Sequence, residues 1–177
     1  MDFLCFHSPF YKMVQKAYFK LTRVEEPTIS DKKCFSKFME KVHPTLHIPQ
    51  RTGNIYTGSL FSCLLSLLVL NPNIKNKHVL LFSYGSGCCS TMMTAKINSN
   101  PLVKNNLILH KLEQRIKISP EDYTKIMLQK EKNFGKLQGK LKPIEHLLDE
   151  NAFYLSSVDE KWRRTYEQKQ IVAIGKK

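Results

Sequence analysis

The 177-residue chain carries 28 Lys+Arg against 15 Asp+Glu, a net charge of +13, with 42% hydrophobic and 24% charged residues. That length suits one domain or part of one, and the composition is that of a globular chain rather than a disordered one. The longest apolar run, residues 60–70, is broken by Ser62, Cys63 and Ser66, and falls short of the ~20 residues that a bilayer span needs.

The charge implies attraction to anions: nucleic acid, phosphorylated cofactors or an anionic surface. The lysines are spread along the whole chain, without an arginine-rich tract or an interleaved aromatic stripe, which argues against nucleic acid. Asp2 and His7 interrupt any secretory leader. The cysteines are Cys5, Cys34, Cys63, Cys88 and Cys89, an odd number without CxxC spacing. They read as reduced, packed thiols in a cytoplasm-like compartment.

In chain order, Phe3 to Phe6 is a short apolar strand. Ser8 then Pro9 is a helix start, and Phe10, Met13, Val14, Ala17, Tyr18 and Leu21 follow with helical spacing. His7 thus sits where a strand meets a helix, and ligands of α/β folds collect at the carboxyl ends of strands. Residues 31–42 read as a second helix, with Phe35, Phe38, Met39 and Val42 on one face. "HPTLHIPQRTGN" reads as a loop or short strand because of its prolines. Thr57 or Ser59 caps a helix that runs to about Leu70 and is apolar nearly all round, which predicts full burial. Asn54 stands just before it.

"HVLLFSYGSGCCSTMMTAKI" reads as strand, glycine turn, strand. "LILHKLEQRIKI" is a strand or an amphipathic segment. "SPEDYTKIMLQKEKNF" is a helix, capped by Ser119 with Pro120 first and two acids in its first turn. Residues 152–158 read as a strand and "DEKWRRTY" as a charged exit. The lysines Lys12, Lys16 and Lys20 recur every four residues on the first helix, either a solvated face or a phosphate-holding one. His7, Asn54 and the turn from Ser83 to Gly87 are polar sites at element junctions. They suit the polarisation of a carbonyl beside a phosphorylated carrier; GxG alone is neither a dinucleotide fingerprint nor a P-loop.

Four blocks carry a resemblance: "FHSPFYKMVQK", "GNIYTGS", "FSYGSG" and "VDEKWRRTY". In order and local context they resemble the C-terminal half of 3-hydroxy-3-methylglutaryl-CoA (HMG-CoA) synthases. The resemblance runs from Asp2 to about Tyr166, so residues 1–166 form one region and 167–177 a tail. It implies an α/β, thiolase-like fold, layered αβαβα, of which only the C-terminal portion is here. It implies a reaction that condenses acetyl-CoA with acetoacetyl-CoA. His7 would polarise the ketone, Asn54 and Ser86 would contact the acyl substrate, and Lys12 and Lys16 would bind CoA. No prosthetic group and no metal is implied; CoA thioesters are substrates, and the family is homodimeric.

The departures are as informative. The family's nucleophilic cysteine and catalytic glutamate belong to its N-terminal half, and none of the five cysteines stands in the nucleophile's context. The chain is shortened between about residues 22 and 50. Phe10 and Tyr11 replace the family's tyrosine and cysteine after HSP. The leading reading is therefore the C-terminal part of such a synthase, inactive by itself, in the cytoplasm or, if a presequence lies upstream, the mitochondrion. A non-catalytic CoA-binding or pairing module is the second reading, and a small basic nucleic-acid-binding protein the third.

Overall fold

The structure is a computed structural model that describes residues 1–85, 87–102, 105–136, 138–142 and 148–169. The chain forms two compact units, Met1–Arg115 and Ile116–Lys177.

The first unit is built on a three-stranded sheet, β1 (Phe3–Phe6), β2 (His78–Gly85) and β3 (Cys89–Lys96). Strand β1 pairs in parallel with β2, Phe3 beside Val79 and Phe6 beside Phe82. Strand β3 returns antiparallel, with Gly85 opposite Cys89. Helices α1 (Tyr11–Glu25), α2 (Asp31–Lys41), α3 (His47–Thr52), α4 (Ser59–Leu70) and α5 (Asn105–Glu113) complete it. Alternation along β1 sends successive side chains to opposite faces. Leu4 lies with Tyr18, Leu21 and Thr22 of α1 around a surface cleft, while Cys5 lies beside Cys63 of α4. The apolar strand is therefore covered on both faces, as its sequence demands.

Phe38 fills the centre of the helical layer and is fully buried. The rings of Tyr11, Tyr18, Phe19 and Phe35 stand around it, with centroids 5.7, 5.9, 6.1 and 6.4 Å away. The stripe that α1 buries is Val14, Tyr18 and Thr22, whereas Phe10 and Leu21 remain exposed.

Several local expectations change. Helix α1 begins at Tyr11 with Phe10 as its cap residue and no side-chain cap. Ser8 is buried instead of capping, because the helix starts three residues after it. The proline-rich "HPTLHIPQRT" is helical, a 3-10 turn at His43–Thr45 followed by α3. Pro44 and Pro49 occupy early turns, where no N–H is needed. Helix α4 starts at Ser59 without a side-chain cap, and it is not buried all round: Phe61 is 67% exposed. Of the expected packed thiols, Cys5, Cys34 and Cys63 are buried, while Cys88 and Cys89 are exposed.

The short link between α1 and α2 is held by Arg23 paired with Asp31 at 2.5 Å and by Glu26 paired with Lys33 and Lys37. The Lys37 ammonium holds the Glu26 carboxyl below its ordinary range. The backbone N–H of His78, then Lys77, does the same for Asp2.

In the second unit, α6 (Pro120–Asn133) starts as expected, with the Ser119 hydroxyl accepting from the Asp122 N–H at 3.0 Å. Strands β4 (Gly139–Lys140), β5 (Phe153–Val158) and β6 (Arg164–Gln168) form an antiparallel sheet. The "charged exit" is a hairpin. Asp159 accepts from the N–H groups of Lys161 and Arg163 at 2.9 Å each, and pairs with the Arg163 guanidinium at 2.6 Å. Those contacts, the Arg163 N–H foremost, hold the Asp159 carboxyl below its ordinary range.

Three carboxyls thus have folded pKa values below their unfolded ones. Their stabilisation is in place above the unfolded carboxylate range and is lost as pH falls through the depressed folded values. The melting midpoint should be level between pH 7 and 5 and should fall below about pH 4. Replacing Asp159 by Asn should flatten part of that fall, read by circular dichroism melts across the pH series.

Candidate active site

The carboxyl ends of β1 and β2 lie side by side because the strands are parallel. His7 follows β1 directly, and α1 begins four residues later. Helix α4 arrives at the same edge from the other direction. Near its start, the Cys63 thiol donates to the carbonyl of Phe6, the last residue of β1, at 3.2 Å. Its far end returns through a short loop to His78, which meets Asp2 at the beginning of β1. The amino half of α4 therefore stands at the edge where His7 stands, and Asn54 precedes that helix in sequence. The β2–β3 turn closes that edge. Ser86 lies outside the described residues.

Each residue is held by its own partners. His7 is half-buried, and its N–H donates to the Phe82 carbonyl at 2.7 Å. Its ring meets the Tyr84 ring edge to face, with centroids 5.1 Å apart and planes at 89°. Tyr84 in turn stacks on Phe82 and donates its hydroxyl to Met13 Sδ at 3.0 Å. One tyrosine thus links β2, His7 and α1. Sequence reasoning missed it; the signal was its period-two spacing from Phe82 within "FSYGSG".

Asn54 Oδ1 accepts from the Tyr56 N–H at 2.8 Å and from the Ser59 hydroxyl at 3.1 Å. A backbone N–H only donates, so the oxygen must face it and the amide NH2 is turned away. Among the described residues that NH2 has no partner, and Asn54 is exposed. The residue presents a fixed donor to solvent. Lys12 and Lys16 are both exposed on α1, one turn apart and away from its buried stripe. Ser8, next to His7, is buried, and its hydroxyl has no hydrogen-bond partner among the described residues. An orphaned buried hydroxyl costs about 1–3 kcal/mol.

Two buried thiols lie close behind this edge. Burial pushes the Cys63 thiol up to about 12. Burial, with the neighbouring Cys63, raises Cys5 further. Neither supplies a thiolate near neutral pH. The described groups are thus a half-buried imidazole, an outward amide donor and two exposed ammoniums on α1, with Cys5 and Cys63 held as thiols by burial.

Residues 29–169 match the family described as "Hydroxymethylglutaryl-coenzyme A synthase C terminal". The chain belongs to the HMG-CoA synthase family. It is 30% identical to hydroxymethylglutaryl-CoA synthase B of Dictyostelium discoideum over 224 residues, covering 97% of this chain and 47% of that protein. It is 32% identical to the Saccharomyces cerevisiae hydroxymethylglutaryl-CoA synthase over 206 residues, covering 96% and 41%. PksG, an HMG-CoA synthase from Bacillus subtilis, superposes with a TM-score of 0.80 at 25% identity, over 96% of this chain and 44% of PksG. The fold is thiolase-like, and the chain spans under half the length of these relatives. The Dictyostelium alignment is longer than the chain itself, so it includes positions that this HMG-CoA synthase homologue lacks. Among the described residues, no helix is long and apolar enough to cross a membrane.

Proposed function

We propose that this chain is the acetoacetyl-CoA-binding and polarising part of an HMG-CoA synthase, the acyltransferase that condenses acetyl-CoA with acetoacetyl-CoA. The observation that carries the reading is the place of His7, at the carboxyl ends of a parallel strand pair, against the Tyr84 ring and just ahead of α1. In this reading His7 donates a hydrogen bond to the ketone oxygen, where charge develops as the carbanion attacks. Preorganised donors at such an oxygen are commonly the largest catalytic term. Tyr84 holds the imidazole in place. Asn54 and Ser86 contact the acyl portion, Asn54 through its outward NH2. Lys12 and Lys16 bind the CoA phosphates. The orphaned Ser8 hydroxyl supports a site that is completed by substrate or by a further segment of polypeptide. No prosthetic group is called for.

Acetoacetyl-CoA should therefore bind the chain in a salt-sensitive manner. The Lys12→Glu/Lys16→Glu double variant should weaken it by roughly 10-fold, as expected when two exposed phosphate contacts are reversed in sign. Isothermal titration at two salt concentrations measures this. Unchanged affinity would remove the lysines from the site. The buried, protonated Cys5 and Cys63 favour a second reading, a homologue that binds CoA or pairs with another chain without turnover. The five free cysteines suit a reducing compartment; we place the protein in the cytoplasm, a choice that subcellular fractionation tests, since a pig relative is named mitochondrial.

A further inference from the structure

Two adjacent thiols stand outside the chemistry described above. Cys88 and Cys89 are both exposed, at the tip of the β2–β3 hairpin. Gly85 pairs with Cys89, so Cys88 is the last residue of the intervening loop. Cys88 has a φ of +61°, the left-handed conformation that favours glycine because a Cβ crowds the following carbonyl. In a hairpin loop of this length the left-handed residue before the returning strand is commonly glycine. Here glycine is one position earlier, at Gly87, and a cysteine takes the strained place. The neighbouring cysteines Cys5, Cys34 and Cys63 are buried, which leaves this pair as the accessible thiols among the described residues.

We propose that Cys88 and Cys89 form a reversible oxidation site, a vicinal dithiol that closes to a disulfide within the turn. A peroxide supplies the oxidising equivalents. One thiolate attacks the O–O bond, giving a sulfenic acid and water; the neighbouring thiol then displaces a second water as the S–S bond forms. Two thiols and one hydrogen peroxide become one disulfide and two waters. Consecutive Cα atoms are only ~3.8 Å apart, below the usual disulfide span. The bond is therefore strained, and strained exposed disulfides are the labile, regulatory ones. A turn already out of the regular strand conformation at Cys88 is where the backbone can adjust to it. Closure at the hairpin tip would stiffen the end of β2, which carries Tyr84 against His7, and so alter acyl binding there. That consequence rests on the proposed function; the oxidation site does not.

Cleavage after Lys77 and Lys96 releases one peptide, residues 78–96, that holds both thiols and no other cysteine. The native chain should be treated with hydrogen peroxide, alkylated with iodoacetamide and digested. The expected peptide is unalkylated at both positions and about 2 Da lighter than its reduced form, and dithiothreitol before alkylation should restore double alkylation. Oxidation of Met92 or Met93 adds about 16 Da and does not imitate this loss. Cys88→Ser and Cys89→Ser should each abolish the light peptide. Disulfide-linked dimers of the chain, or sulfinic acid in place of the light peptide, would overturn the proposal. Acetoacetyl-CoA titration of the oxidised chain then reads the consequence separately: unchanged affinity with the light peptide present refutes the link to the acyl site and leaves the oxidation site standing.

Discussion

Given acetyl-CoA and acetoacetyl-CoA, the purified 177-residue chain should form no HMG-CoA above the uncatalysed background. In the proposed function the site polarises a ketone, but condensation also needs a thiolate to carry the acetyl group and a base to make its carbanion. Proton transfer by a placed base contributes about 10²–10⁴-fold, and covalent catalysis is a separate requirement. Cys63 is raised to about 12 and Cys5 is raised as well, both by burial. At pH 7 only about one Cys63 thiol in 10⁵ is ionised. Cys88 and Cys89 are exposed in a strand hairpin and, like the other three cysteines, do not stand in the sequence context of the family's nucleophile. Product measured by mass spectrometry above the no-protein control would show that a nucleophile and a base exist in this chain, and the assignment of roles would fail.

Phe38→Ala should destabilise the first unit by about 3–5 kcal/mol, the range for removing a large aromatic ring from a closed site. Phe38 is fully buried and touches four aromatic rings from α1 and α2. Tyr18, itself buried, is in no position to swing into the hole. Tyr11 is also tied to His43, its hydroxyl 3.2 Å from Nδ1. Small domains are stable by only about 5–15 kcal/mol, so the loss should consume much of the margin. Urea unfolding read by tryptophan-independent circular dichroism checks it. Phe38→Leu, which keeps most of the volume, should cost clearly less; equal costs would mean the site is loosely packed. The exposed Phe61, Tyr56 and Ile55 around the start of α4 add an apolar surface that should make the chain prone to self-association.

What the sequence made legible was local. The strand at Phe3–Phe6 and the strand–turn–strand of β2 and β3 follow from short-range pattern, and α6 from Ser119, Pro120 and the acids after it. What it obscured depended on context. Pro44 and Pro49 read as breakers, yet both fall in first turns where proline does no harm. Strand β6 is hidden by its charges, and the hairpin before it is set by Asp159 accepting from two backbone N–H groups. Helix α5 offers only a short apolar run, residues 107–109, a pattern that does not separate helix from strand. Phe61 faces outward from a helix whose composition predicts burial. The candidate residues come from the motif blocks, not from periodicity. Their supporting contacts were not legible: Tyr84 reaches His7 and Met13 across three elements, and no spacing rule links residues so far apart in sequence.

The central claim is that His7 serves the condensation and nothing before it. Fusing this chain behind the N-terminal half of the Dictyostelium synthase, the relative it matches over 47% of that protein's length, supplies a thiol and a base for the reaction. Two steps are then measured in the same fusion: acetylation of the nucleophilic cysteine by labelled acetyl-CoA, and release of HMG-CoA after acetoacetyl-CoA is added. The account predicts that the fusion turns over, and that His7→Ala leaves acetylation within about 2-fold while cutting condensation by at least ~100-fold, the loss typical of a single oxyanion donor. A fusion that acetylates but never condenses, or a His7→Ala fusion that condenses at the parent rate, would contradict it.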